Sequence, residues 1–187
     1  VALSDGNDGV ALLGNTLATA AILFVLVATL GPVSGAHFNP AVTLVMMLRG
    51  DIRRDHAALY MVIQIAGCIA GAVLAHAMFE LPLIQAGTAD RSGGAKILAE
   101  GAATFALLFA ILGGLRHRPQ DIPAIVALVI TAGYWWTSST SFANPAITIA
   151  RGLTDSFAGI RLQDVPGFVV GHLAGALAAW ILGGWMF

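Results

Sequence analysis

"SGAHFNPAVTL", Ser34 to Leu44, returns 105 positions later as "STSFANPAITI", Ser139 to Ile149. Each copy holds Asn-Pro-Ala followed by a β-branched residue and Thr. Asn is a favoured N-cap, and Pro at the first helical position loses nothing, because its missing N–H would be unpaired there. Both boxes therefore predict a helix start, at Pro40 and at Pro145. The apolar pattern carries these helices only to Leu48 and Arg151, too short to cross a bilayer.

The solvent is set by composition. Of 187 residues, 58% are hydrophobic and 10% charged, with mean hydropathy +0.84; soluble domains carry about 25% charged residues. The chain reads as an all-α membrane protein. A net charge of −1 offers nothing to nucleic acid. Cys68, the single cysteine, lies inside an apolar run and forms no intrachain disulfide; it reads as a small core residue. Val1 to Asp8 has neither the basic start nor the apolar run of a signal peptide.

Stretches of about 20 apolar residues, the length a spanning helix needs, give five full crossings. They run 9–30, 57–79, 95–115, 122–138 and 165–187, and "RGDIRRD", "LPLIQAGTADRSGG", "RHRPQD" and "RGLTDSFAGIRLQDVPG" separate them. With the two short helices the order is span, half-helix, span, then span, span, half-helix, span. Residues 9–79 thus form a first, incomplete repeat and 95–187 a second, within one transmembrane domain covering 1–187. "GCIAG" at Gly67 to Gly71 and "GHLAG" at Gly171 to Gly175 share the small-xxx-small spacing that lets helices approach in lipid. The span 95–115 has no counterpart in the first half. Five of six spans are present on this reading, and the polar opening "LSDGNDG" looks like the loop after a missing first one.

A unit of three crossings reverses its direction in the membrane, so the two copies are inverted. Their half-helices enter from opposite faces and meet N-terminus to N-terminus near the midplane. Two such tips, each with roughly half a positive charge and unpaired N–H donors, repel cations and protons. The Asn39 and Asn144 amides add donors for a small neutral solute leaving water. Irregular backbone at this depth is tolerated only where it lines a watery cavity or is packed in protein.

The paired "HFNPAVT" and "FANPAIT" boxes resemble those of the aquaporin and glycerol-facilitator family, over essentially the whole chain. The resemblance implies an inverted repeat with two re-entrant half-helices, and a pore lined by Asn39, Pro40, Ala41, Asn144, Pro145 and Ala146. It also implies a passive channel, commonly a homotetramer with one pore per protomer, in the bacterial inner membrane. "EGAAT" is similar to the family's Glu-xxx-Thr signature, which makes Glu100 and Thr104 a structural anchor for the re-entrant backbone. No cofactor or metal is implied.

Family water channels narrow at an aromatic, a His, a small residue and an Arg three places after the second Asn. Counted from the boxes, this filter falls on Thr19, Ala132, Ser141 and Ile147, or on Gly133 for Ala132 if the count slips by one. Every bulky or charged member is replaced by something small or apolar, which predicts a wider filter. Arg151, one turn beyond Ile147 on the same helix face, reads either as a guard of the outer vestibule or as a solvated charge at a helix C-terminus. The permeants expected are water and small uncharged solutes: glycerol, urea and undissociated metalloid acids. "NPAITIAR" is similar to an arsenic-associated bacterial branch.

Other residues carry plainer readings beside functional ones. His37 is lumen-adjacent or packs beside Asn39. His76 and His172 sit at no metal-like spacing and read as packing. Glu100 reads as an anchor before a proton relay, since no acidic chain leads to it. Tyr134, Trp135 and Trp136 fit an interfacial aromatic belt. Phe38, Val42 and Ile147 form either the apolar pore wall or half-helix core. Arg49, Arg53, Arg54, Arg116 and Arg118 face Arg91, Lys96, Arg151 and Arg161, and the cluster in "RGDIRRD" marks the cytoplasmic side. A secondary transporter with inverted repeats is the rival class, but neither half-helix holds a coupling carboxylate. A non-conducting fragment is the other. No nucleophile–base pair or phosphate loop points to an enzyme.

Overall fold

A computed structural model describes residues 4–187; Val1, Ala2 and Leu3, the last of which begins the polar opening, lie outside the described residues. Among the described residues seven α-helices follow in order: α1 (Asp8–Ser34), α2 (Pro40–Arg49), α3 (Arg54–Met78), α4 (Gly94–His117), α5 (Ile122–Trp136), α6 (Pro145–Arg151) and α7 (Val165–Met186). Their ends follow from local chemistry. The Asn7 side chain caps α1 by accepting from Val10 N–H, and Gly35 ends it in the left-handed region at φ 78°. Asn39 and Asn144 each stand extended before a Pro and accept from the amide two residues on, at 2.9 Å in both boxes.

Among the described residues, α1, α3, α4 and α7 are long and apolar enough to cross a membrane. Helix α5 holds only 15 residues, ending before Ser138 because Thr137 turns extended. A 3-10 turn at Pro119–Asp121 leads into it, and together they rise roughly 28 Å, close to the hydrocarbon thickness.

The half-helices sit between the long ones. Helix α2 packs on α3 and α7, α6 packs on the same two, and α2 touches α6; α1 lies against α5. The most extensive pairing is α4 with α7. Its cause is glycine: a Cβ at Gly175 would stand 2.1 Å from the Gly101 carbonyl oxygen, and one at Gly171 would stand 2.6 Å from that of Ile97. Ala41, Val45, Leu108, Leu112, Ala143 and Ala176 fill the resulting core. Gly67 and Gly71 on α3, by contrast, face open space, with no atom within 4 Å of an added Cβ.

Outside the helices, the segment before α4 is stitched to the segment after α6. Gln85 and Gly87 N–H donate to the Leu153 and Gly152 carbonyls, Arg161 N–H donates to Ala89, and Thr88 Oγ1 lies 2.6 Å from Asp155 Oδ1. His76, at the end of α3, joins the same seam: its ring nitrogens lie 2.9 Å from the Leu83 carbonyl and 2.8 Å from Thr154 Oγ1. Phe142, Ile160 and Phe168 form a small apolar cluster beside it.

Gly175→Ala should lower stability by about 3 kcal/mol, the upper end of overpacking costs, because the clash is with backbone. Gly184→Ala in the same helix meets nothing and should be near neutral. Thermal unfolding in detergent, followed by size exclusion, compares the two.

A candidate pore and its lining

The two boxes are joined by an exchange. Asn39 Nδ2 donates to the Ala143 carbonyl at 2.7 Å, and Asn144 Nδ2 donates to the Phe38 carbonyl at 2.8 Å. Each amide oxygen caps its own half-helix while each amide nitrogen holds the other box. The approach backbone is matched as well: Ala36 and Phe38 stand at φ 47° and 49°, Ser141 and Ala143 at 48° and 47°. Left-handed conformation in non-glycine residues costs roughly 1–2 kcal/mol each, so something must hold it. For the second box that is Glu100, fully buried on α4, whose Oε1 accepts from Phe142 N–H at 2.9 Å and Oε2 from Ala143 N–H at 2.7 Å. Thr104, one turn on, donates to the Glu100 carbonyl at 2.8 Å.

A cavity of about 630 Å³ runs past both Asn residues. Its length is shown by α5, where Ile122, Val126, Ile130 and Tyr134 line it at four-residue spacing, a row about 18 Å long. One end carries Arg49 and Asp51, bridged at 2.8 Å. At the other end are Thr19, Tyr134, Ser141, Ile147 and Arg151. The wall between is mostly apolar, with His37, Phe38 and Val42 of the first box on it. Main-chain carbonyls of Ala36, His37, Ser141 and Phe142 have no hydrogen-bond donor among the described residues and lie in cavity-lining residues.

Of the four filter positions counted from the boxes, Thr19, Ser141 and Ile147 line the cavity and Ala132 does not. Ala132 is exposed on the outer surface. The neighbouring Gly133 is buried, and a Cβ there would stand 2.5 Å from Ser141 Oγ. Gly133 is not among the cavity-lining residues either; from this part of α5 the cavity is lined by Ile130 and Tyr134. Tyr134, placed with the interfacial aromatics by its neighbours, is buried; Trp135 and Trp136 alone face outward. Its hydroxyl lies 3.5 Å from Thr19 Oγ1 and 3.4 Å from Arg151 Nη2.

Arg151 is half-buried and lines the cavity, its guanidinium 4.3 Å from the Phe142 ring centre. Arg91 approaches the same ring at 4.8 Å. Arg91 gives four of its five guanidinium N–H groups to the carbonyls of Ser139, Phe157 and Gly159 and to Thr140 Oγ1. Burial, followed by the nearby Arg151 charge, pushes its pKa down to about 10, so it stays charged at neutral pH. Arg151 keeps guanidinium N–H groups for the cavity.

Two further residues differ from their plain readings. Cys68 is not fully buried; it lines the cavity. His172 is fully buried with Nε2 2.7 Å from Glu100 Oε2. His37 lines the cavity with its Nδ1 3.1 Å from Thr43 Oγ1 and its ring 5.2 Å from that of Tyr60.

Paired half-helices tied tip to tip beside a lengthwise cavity define a membrane channel, and the chain belongs to the major intrinsic protein family, whose model matches residues 1–135. It is a passive multi-pass channel for water and small solutes. Aquaglyceroporin AqpS of Rhizobium meliloti is 52% identical over 180 residues, covering 96% of this chain and 77% of that protein. Probable aquaporin PIP2-8 of Oryza sativa is 30% identical, covering 94% and 69%. Probable aquaporin AqpM of Archaeoglobus fulgidus is 33% identical, covering 88% and 71%.

Asn39→Ala removes an N-cap and frees the Ala143 carbonyl, so it should cost about 1–2 kcal/mol. The same is expected of Asn144→Ala. Thermal midpoints of the purified variants measure both.

Proposed function

We propose that the chain passes small uncharged polyhydroxy solutes, glycerol, urea and undissociated metalloid acids such as arsenous acid, besides water. The observation that carries this is Ile147. An apolar residue lines the cavity where a charged one would close it, and Thr19 and Ser141 beside it are small. Arg151 sits one turn outward, held by Tyr134 and Phe142, where it guards the outer mouth. Small hydroxyls from Thr19, Ser141 and Tyr134 offer both donors and acceptors to a polyhydroxy solute, and the free carbonyls of the approach strands continue that pairing inward. The name of the 52% identical relative, an aquaglyceroporin, supports a solute wider than water.

Cations and protons are excluded at Asn39 and Asn144. Both half-helices point their positive ends at this level, and both amide oxygens are engaged in capping, so only N–H groups remain for the permeant. Glu100 anchors the second box and does not relay protons, since its oxygens are occupied by amides and His172.

The organisation we infer is two inverted repeats, 9–79 and 95–187, assembled as a homotetramer in the inner membrane with Arg49, Arg53 and Arg54 cytoplasmic. Support comes from contact symmetry. Helix α3 meets α6 as α7 meets α2, and α3 meets α2 as α7 meets α6. Among the pairs of α-helices, only the contacts of α4 lack counterparts. Its equivalent would lie on the open Gly67–Gly71 face of α3, where a sixth spanning helix carrying a carboxylate fits. The His37 and Phe38 amides, counterparts of Phe142 and Ala143, have no acceptor among the described residues.

In stopped-flow light scattering on proteoliposomes of the full-length gene product, glycerol and arsenous acid should enter well above the empty-liposome rate. Ile147→Arg should cut solute entry by about tenfold or more, the scale of a pocket-size discrimination, while water flow persists. Rapid water flow with neither solute passing would remove the wide-filter reading. For the repeat organisation, Gly71→Leu should lower the thermal midpoint of the full-length product as strongly as Gly175→Leu; an unchanged midpoint for Gly71→Leu means that no helix covers that face.

A further inference from the structure

The second box is held by a carboxylate, and the carboxylate is itself held. Glu100 is wholly buried; its two oxygens accept from Phe142 N–H, Ala143 N–H and His172 Nε2, the last at 2.7 Å, and the buried Ser139 hydroxyl adds a further side-chain hydrogen bond. All of these neighbours can donate, so the ionised carboxylate is the form that matches them. A glutamate has three side-chain torsions; two amides and the Ser139 hydroxyl hold its head from the second box's own approach segment, and His172 holds it from α7.

The placement of His172 is specific. It stands between Gly171 and Gly175, the residues that bring α7 against the α4 backbone, and only that approach lets an imidazole reach Glu100. Phe168, one turn before it, meets the His172 ring edge-on at 6.3 Å and the Phe142 ring at 5.3 Å. The imidazole is therefore fixed by packing and gives its Nε2–H in one direction. Its other nitrogen, Nδ1, is buried with no partner, an uncompensated desolvation cost. Packing alone does not explain a histidine there, because an apolar ring would fill the slot without that cost. At the matching place in the first half, one position after Gly67 as His172 is one after Gly171, the residue is Cys68.

We propose that His172 is a positioning residue for the pore. By orienting Glu100 it holds the Phe142–Ala143 peptide in its left-handed turn, and so sets the Ala143 carbonyl that receives the Asn39 amide. The path from the imidazole to the pore-lining amide is a chain of side-chain and main-chain hydrogen bonds, Glu100 to Ala143 N–H and Ala143 C=O to Asn39 Nδ2, every one 2.7 Å long. Loosening its first link loosens the Asn39 end. The claim concerns permeation through the channel as such and is independent of which solute is preferred, so water serves as the permeant.

The test compares His172→Phe, which keeps the ring and loses the donor, with His172→Gln, whose amide N–H reaches a similar distance. Osmotic water permeability per reconstituted channel and the thermal midpoint are measured together for the full-length protein. His172→Phe should lower permeability by about fivefold, the equilibrium factor of one lost hydrogen bond, while folded at the assay temperature. His172→Gln should recover at least half of the wild-type value. In a cycle with Glu100→Gln, the double variant should be no worse than Glu100→Gln alone, because both act through one carboxylate. If His172→Phe does not accumulate, His172→Met, also without a donor, replaces it. Wild-type permeability in a folded donor-less variant, failure of Gln to outperform Phe, or multiplying effects in the cycle would each overturn the assignment.

Discussion

The structure depends on two asparagine side chains that divide their work. In each, the oxygen ends a half-helix and the nitrogen reaches across to the carbonyl just before the other Asn. Neither half-helix can be placed without the other, since removing one leaves the opposite box with an unpaired buried carbonyl. A 10-residue and a 7-residue helix are too short to be stable alone in water. They persist because their tips are cross-tied and their sides are packed on α3 and α7.

That tie demands unusual backbone. Four non-glycine residues take left-handed φ in matched positions, and the alternation frees a run of carbonyls beside the cavity. Strain of this kind survives only where surroundings over-determine it. In the second box the surroundings are Glu100, His172 and the α4–α7 glycine contact, three devices that act as one: glycine sets the distance, histidine the angle, and carboxylate the turn. Arg91 adds a fourth from outside by gathering the carbonyls of Ser139, Phe157 and Gly159.

The helix starts at Pro40 and Pro145 and the apolar spans were legible because capping and hydropathy are local. The repeat of the boxes was legible because it is a pattern in the chain itself. Ala132, placed by counting from a motif, faces outward and does not line the cavity, because a count along the chain does not say which face of α5 turns inward. A row of Ile122, Val126, Ile130 and Tyr134 at four-residue steps was present as a signal and names the inward face directly. Tyr134 was obscured by two adjacent tryptophans that face outward. His172 could not be read from spacing, because its partner lies 72 residues away and an imidazole in an apolar run looks the same whether packed or bonded.

The same α5 row bears on how this channel tolerates change. Its four lining residues share one line of the helix, and each added or lost residue turns everything beyond it by about 100°. A single insertion after Ile130 would swing the Tyr134 hydroxyl away from Arg151 and bring Gly133 to the mouth, and a single deletion would bring Trp135 there. Substitutions along this wall adjust the bore, whereas a change in its length rewrites which residues form the bore at all.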